Sequence, residues 1–399
     1  MQKSTLSTDL LNDELRFLIA CCQSELNDDD ITSILSTYPT LDPQNLITLA
    51  YSQGILPLVY KTLKKLFEED LFHDEETLSL FKQHYMSIAQ KNMLMSAELL
   101  RIMKLLEDSG IEALAFKGPT LAQQAYGDIT MRRFGDLDIL VGENEVFSTG
   151  KILSAHGYMP VSPIKILQNK TCLKVMNDLA FYDRSKGVFI EMHWRLFREK
   201  IGQHLDFSQI SGTNCTVTIN GHSIPTLSPE MQLVYLSLHG SKHAWERLEW
   251  ICDIDRLLRV QTNIDWDKSF NIAKEMDTYT TLYLGLNLCY ELLGTPLPKT
   301  IMPIIHTERI LELTEETYNL LNNLPELEGY AKYRAIHRYQ NTLLDTLGKK
   351  IRHFLSTNFT ISQNDCQEFP LPSSLTFLYV FIKPFRVALK LFKSVRGPS

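Results

Sequence analysis

Apolar residues recur three and four apart along the first hundred positions, and this spacing predicts helices from the start to about residue 110. Leu10, Leu11, Leu15, Leu18 and Ile19 mark one stripe. Asp28 to Asp30 are placed to cap the next helix, and Asp42-Pro43 to open a third that Gly54 closes. Ile55 to Phe67 and Gln83 to Leu106 carry two further stripes. From Ile111 the period shortens. Ile111–Phe116 and Asp136–Val141 read as short strands, with a short helix Pro119–Tyr126 between them and a helix Glu143–His156 after. Asp178–Asp183 and Val188–Leu196 read as two strands joined by Arg184-Ser185-Lys186-Gly187. Thr216–Ile219 and His222–Thr226 flank Asn220-Gly221, the strongest two-residue hairpin signal. One central sheet is therefore expected in the middle of the chain. Ser228-Pro229-Glu230 restarts helix, and the helical period runs to about Leu355, broken at Gly240 and at Gly294–Pro298.

This pattern predicts an α+β protein: a small mixed-sheet core flanked by N-terminal and C-terminal helical domains. The expected divisions are a helical domain 1–110, an α/β core 111–227, a helical domain 228–355 and a tail 356–399. With 399 residues, two or three domains are the prior. The tail has its own pattern: Lys383, Arg386, Lys390 and Lys393 recur with Phe385, Leu389 and Phe392 between them, which suits a basic amphipathic helix.

Composition narrows the class. Hydrophobic residues at 44% and charged residues at 22% indicate a globular chain, and a net charge of −7 disfavours coating of nucleic acid by bulk charge. The seven cysteines, at 21, 22, 172, 215, 252, 289 and 366, form no C-x-x-C pair, so neither a zinc knuckle nor a disulfide framework is indicated. No apolar run approaches the ~20 residues that span a bilayer. A cytoplasmic protein is expected, with peripheral attachment at an anionic membrane surface through the tail as an option.

The chemistry concentrates at Phe116-Lys117-Gly118-Pro119-Thr120 and at Gly135-Asp136-Leu137-Asp138. Strand side chains alternate, so Asp136 and Asp138 share a face while Leu137, Ile139 and Val141 enter a core. Two carboxylates side by side on a half-buried strand repel each other, and a divalent cation resolves the conflict. Gly118 lets the backbone approach a ligand, and the helix opening at Pro119 presents free N–H groups to a phosphate. Glu191, on a later strand whose one face carries Phe189, Glu191 and His193, is the candidate third acid, as metal ligand and as aid to deprotonating an acceptor hydroxyl. Arg132 and Arg133 precede the strand as candidate phosphate clamps, with solvated loop charges as the alternative. Lys242 and His243 sit at a helix junction where they can reach a triphosphate. Trp245 there reads as core, and Asp255 with Arg259 as an ordinary i,i+4 pair.

The glycine turn, short helix, D-x-D strand and later strand acid resemble the DNA polymerase beta-like nucleotidyltransferase superfamily. More narrowly, the chain is similar to its bacterial branch of uncharacterised nucleotidyltransferases. The resemblance rests on Lys117-Gly118, the block from Arg132-Arg133 to Asp138, His193-Trp194-Arg195, His239-x-x-Lys242-His243-x-Trp245-x-Arg247-Leu248, and Gly54-Ile55-Leu56-Pro57-Leu58. It covers residues from about 50 to 260. It implies transfer of a nucleoside monophosphate from an NTP such as ATP to a hydroxyl acceptor, with Mg²⁺ or Mn²⁺ and release of pyrophosphate. It also implies Asp136, Asp138 and Glu191 as catalytic metal ligands, and Lys117, Gly118, Arg132, Arg133, Lys242 and His243 around the nucleotide. Two residues depart from the superfamily. Pro119 stands where serine or a second glycine is usual, removing one N–H and one hydroxyl, and Glu191 stands where many relatives have Asp. Glutamate also serves as a metal ligand, but Pro119 leaves open a degenerate nucleotide-binding or membrane-surface assembly protein. A toxin of a toxin–antitoxin pair is a further alternative. The acceptor is expected to be a small molecule, peptide or protein in preference to nucleic acid.

Overall fold

The computed structural model describes residues 10–197, 205, 207–212, 214–324 and 327–351, with 361, 365–366, 371, 375 and 378–379. The expected basic amphipathic helix around Lys383–Lys393 lies outside the described residues. Five helices come first: α1 (Asp13–Cys21), α2 (Asp28–Thr37), α3 (Pro43–Ser52), α4 (Leu56–Glu68) and α5 (Glu75–Asp108). Their starts are dictated locally. Asn27 and Asp30 form a reciprocal capping box, Asp42 accepts from the backbone of Gln44 and Asn45 ahead of Pro43, and Gly54 turns the chain after α3 at φ +76°.

The sheet region runs β1 (Ala113–Ala115), α6 (Gly118–Leu121, continued by one wider turn at Ala122–Tyr126), β2 (Asp136–Val141), α7 (Val146–Ala155), β3 (Met159–Pro160), α8 (Lys170–Val175), β4 (Asp178–Asp183) and β5 (Val188–His193). The sheet order is β1-β2-β5-β4-β3, antiparallel throughout except for the parallel β2–β5 pair at its centre. After α9 (Phe207–Ser211), β6 (Cys215–Ile219) and β7 (His222–Thr226) form the expected hairpin, with Asn220 and Gly221 both at positive φ as a type I′ turn demands. The hairpin does not join the central sheet; it is a second, two-stranded sheet. The expectation of one sheet is corrected in that respect.

Helices α10 (Pro229–Lys242), α11 (Leu248–Val260), α12 (Trp266–Glu275), α13 (Tyr279–Leu293), α14 (Met302–Ile305), α15 (Glu308–Asn323) and α16 (Gly329–Thr342) complete the order. Contrary to the sequence reading, α10 runs through Gly240. The chain then reverses with Ala244 and Trp245 at positive φ, and the Trp245 ring folds back onto Gly240, where an added Cβ would lie 2.4 Å from it. Glycine permits that reversal.

Two apolar cores result. One lies under the central sheet and takes Leu137, Ile139 and Val141 from β2 together with Ile190 and Met192 from β5. The other is shared by the first helices and the last, from Leu11 and Phe17 through Trp245, Trp250 and Leu288 to Leu343. Gln53 stitches the two helical groups together at the start of α11. Its carbonyl accepts from Glu249 N (3.1 Å), its Oε1 from Leu248 N (2.8 Å), and its Nε2 donates to Glu246 O (3.2 Å). Among the described residues no helix is long and apolar enough to cross a membrane.

Candidate functional site

β1 ends in the turn that shapes the site. Phe116 N still donates to Asp138 O (3.3 Å), Lys117 is extended, and Gly118 adopts φ +51° with its would-be Cβ 3.1 Å from the Asp136 carbonyl. Glycine is thus demanded by contact with β2 itself, as well as by any approach of a ligand. The Thr120 hydroxyl donates to Ala115 O and Lys117 O and locks the turn.

Across the parallel pair, Asp138 stands directly opposite Glu191, and Leu140 opposite His193. Like charges in that register repel. Two cations settle the matter. Lys117 Nζ lies 2.6 Å from Asp138 Oδ1, and His193 Nε2 lies 3.1 Å from the same oxygen and 3.3 Å from Glu191 Oε2. Asp138 and His193 are 2% and 5% exposed, while the Glu191 side chain is 37% exposed.

The ionisation pattern follows. Burial pushes the Asp138 carboxyl up, but Lys117 and the His193 hydrogen bond outweigh it and hold it down at about 2. The His193 bond likewise holds Glu191 below its usual value. Burial opposes charge on His193, yet Asp138 and Glu191 raise it to about 9. Asp136, with no such partner, is pushed up by burial and by the neighbouring Asp138 charge.

Oxygens of Asp138 and Glu191 and a ring nitrogen of His193 all lie within 4.8 Å of one another. Asp138 Oδ2 and His193 Nδ1 are buried without a hydrogen-bond partner among the described residues. A buried carboxylate oxygen left unpaired is costly, and a hard cation is its natural complement. The two carboxylates therefore fit a divalent metal, and His193 could join them as a ligand once a metal displaces its proton. Asp136, expected as the first ligand, adjoins this cluster without belonging to it. His193, which the sequence places on the same strand face as Glu191 without making it a ligand, stands inside it; its place two residues after Glu191 was the available signal.

An aromatic wall stands beside the carboxylates. Phe116 meets His193 and Tyr235 edge-on at 5.1 and 5.3 Å, and Tyr235, His239, His243 and Trp250 continue the line at 4.9–5.8 Å. Burial first, then Lys117 and Lys242 among nearby cations, keep His239 far below its usual value and bring His243 down to about 3, so both rings are neutral. Lys242 itself is exposed at the end of α10.

Arg132 and Arg133 part company. Arg132 is buried and held by Asp253, with Nε 2.9 Å from Oδ1 and Nη2 3.0 Å from Oδ2, and by Glu249 at 3.8 Å. Tyr126 donates to the same Asp253 at 2.8 Å. Arg133 turns outward, stacks on the Tyr51 ring at 4.1 Å and donates to Tyr51 O. Trp245 is fully buried, and Arg259 binds Asp255 at 2.7 Å, as the sequence indicates.

A carboxylate pair on neighbouring central strands, beside a glycine turn, on a small mixed sheet walled by helices, is the arrangement of a nucleotidyltransferase. The family model described as uncharacterised nucleotidyltransferase matches residues 39–294, well over half of the chain, and the chain belongs to that family. Among solved structures the chain is similar to an antigenic nucleotidyltransferase-like protein from Paracoccidioides brasiliensis, at 16% identity over 48% of this chain and 91% of the other, with a TM-score of 0.28. No curated protein matches the chain.

Proposed function

We propose that the protein moves a nucleoside monophosphate from an NTP to a hydroxyl of a small molecule, peptide or protein and releases pyrophosphate. The observation that carries this reading is Asp138 set opposite Glu191, with an Asp138 oxygen that is buried without a partner among the described residues and with His193 completing a cluster of metal-ligand type. Asp138, Glu191 and the adjoining Asp136 are the residues that would hold Mg²⁺ or Mn²⁺, with His193 beside them. The cation, when bound, supplies charge neutralisation for the phosphates.

The chain's own residues do the rest. Lys117 and the Gly118 turn receive the triphosphate, and Tyr235, His239 and Trp250 form the wall against which the nucleoside is positioned. The acceptor oxygen attacks the α-phosphorus, a new P–O bond forms, and the bond to the bridging oxygen breaks. Pyrophosphate leaves with that electron pair. The hydroxyl proton passes to the partly exposed carboxylate of Glu191, which His193 keeps ionised.

The test is transfer of label from each α-labelled NTP, with Mg²⁺, to material in a lysate. Asp136→Asn combined with Glu191→Gln is preferable to any change at Asp138, whose loss would strand buried Lys117. Transfer at the wild-type rate by that double variant would refute the reading. Pro119, which supplies no N–H at the start of α6, supports a second reading: nucleotide binding without turnover. Measurable pyrophosphate release excludes it.

A further inference from the structure

A cleft of about 480 Å³ opens between α3, α5 and the segment that leads into β2. Its walls include Gln44, Tyr51, His84, Lys91, Asn92 and Arg133, and among the described residues no aspartate or glutamate lines it. In a chain of net charge −7, Lys91 and Arg133 give this cleft a basic wall, tempered on the Arg133 side by Glu249, whose charge Arg133 helps to hold. Lys91 has no ion-pair or hydrogen-bond partner among the described residues. Arg133 spends one donor on Tyr51 O and has its guanidinium steadied by the Tyr51 ring, which leaves most of its five N–H groups for something else. Asn92 is 1% exposed. Its amide nitrogen donates to Ile129 O and Arg132 O, while its Oδ1 is buried with no partner among the described residues. That oxygen can accept from a ligand hydroxyl.

The cleft also adjoins the carboxylates. Phe134 lines it and lies 3.9 Å from where a Gly118 Cβ would stand. Only Phe134 and Gly135 separate Arg133 from Asp136, a reach of at most about 10 Å even fully extended. The Gly118 turn thus packs against a residue that also lines the cleft.

We propose that this cleft binds the acceptor, and that the acceptor is a small hydroxyl-bearing organic anion whose carboxylate or phosphate is taken by Arg133 and Lys91. The proposal rests on the nucleotidyltransferase reading for the acceptor's role, while binding of the anion can be measured without turnover. Benzoate and phenyl phosphate serve as probes, titrated separately by calorimetry in low salt, against wild type, Lys91→Met, and Arg133→Met with Lys91→Met. Thermal melts check that each variant is folded. The expected result is millimolar or tighter binding of at least one probe, several-fold weaker in Lys91→Met and at least tenfold weaker in the double variant. Benzoate alone binding assigns a carboxylate acceptor, and phenyl phosphate alone a phosphate ester. Mg–ATP affinity of Lys91→Met stays within twofold. Absence of binding by either probe, or binding indifferent to both variants, overturns the proposal. So does a parallel loss of Mg–ATP affinity, which would give the cleft to the nucleotide. A failure of nucleotidyl transfer with probe binding intact refutes the catalytic reading and the acceptor role together, and leaves only an anion site.

Discussion

Replacing Arg132 with methionine decides whether this arginine serves the scaffold or the substrate. The side chain is 6% exposed, and it faces Asp253 and Glu249 at 0% and 5%. Methionine keeps much of the volume but leaves buried Asp253 with only the Tyr126 hydroxyl, while Glu249 beside it loses a 3.8 Å contact and keeps Arg247 at 2.9 Å. Breaking one side of a buried ion pair costs about 3–5 kcal/mol. Unfolding entropy of about 2.1 cal/mol/K per residue gives roughly 0.8 kcal/mol/K for 399 residues, so the midpoint should fall by about 4–6 °C. Calorimetric melts at neutral pH and low ligand concentration measure it. Removing the acid as well, with Asp253→Asn in the same chain, should recover part of the loss, because one unpaired charge then disappears. An unchanged midpoint together with a tenfold or larger fall in NTP affinity would refute the scaffold argument and restore Arg132 as a phosphate clamp.

Gly240→Ala places a methyl 2.4 Å from the buried Trp245 ring, and an overpacking cost of about 1–3 kcal/mol should appear as a lowered melting midpoint; an unaltered midpoint would contradict the packing described. Gly118→Ala meets both a left-handed φ and the Asp136 carbonyl at 3.1 Å, so label transfer should drop by more than tenfold with a stability loss of only about 1–2 kcal/mol. In acid, burial would raise the Glu98 carboxyl, but Arg101 at 3.0 Å and Lys186 at 2.6 Å, with the Tyr158 hydroxyl, bring it down to about 2. Because its folded value is depressed, its contribution is full above pH ~4.5 and fades as pH falls toward 2; melts of Glu98→Gln across that window should show a shallower decline than wild type.

Much of this was legible because the signals were local. β2 and β4 begin and end where alternation placed them, and the caps at Asp42 and Ser228 and the Asn220-Gly221 turn act as their chemistry requires. Asp138 and Glu191 were readable as acids on apolar-flanked strands. Their pairing across the sheet was a guess that only the parallel β2–β5 register makes good. What escaped was set at a distance. β3 is two residues long and ends in proline, which an edge strand tolerates and no periodicity reveals. The hairpin's separation from the main sheet depends on packing, to which its turn is blind. Arg132 looked like Arg133 in the sequence because Asp253, 121 positions away, is what distinguishes them. The run of α10 past Gly240 is likewise a tertiary fact: the glycine makes room for a tryptophan ring arriving from the next reversal.

The three hydrogen bonds of Gln53 bear on the order in which the chain becomes a protein. Residues 53 and 248 are 195 positions apart, and one apolar cluster joins residues of α1, α3 and α4 with residues of α10, α11 and α13. At a synthesis rate of about 5–20 residues per second, the first helices wait on the order of ten seconds or more for the segments that cover them. The amino-terminal hundred residues, translated first, are thus among the last to acquire a finished surface. That interval, before the cluster holding Leu18, Leu56 and Leu63 is complete, is when newly made chains are most exposed to aggregation and to chaperones.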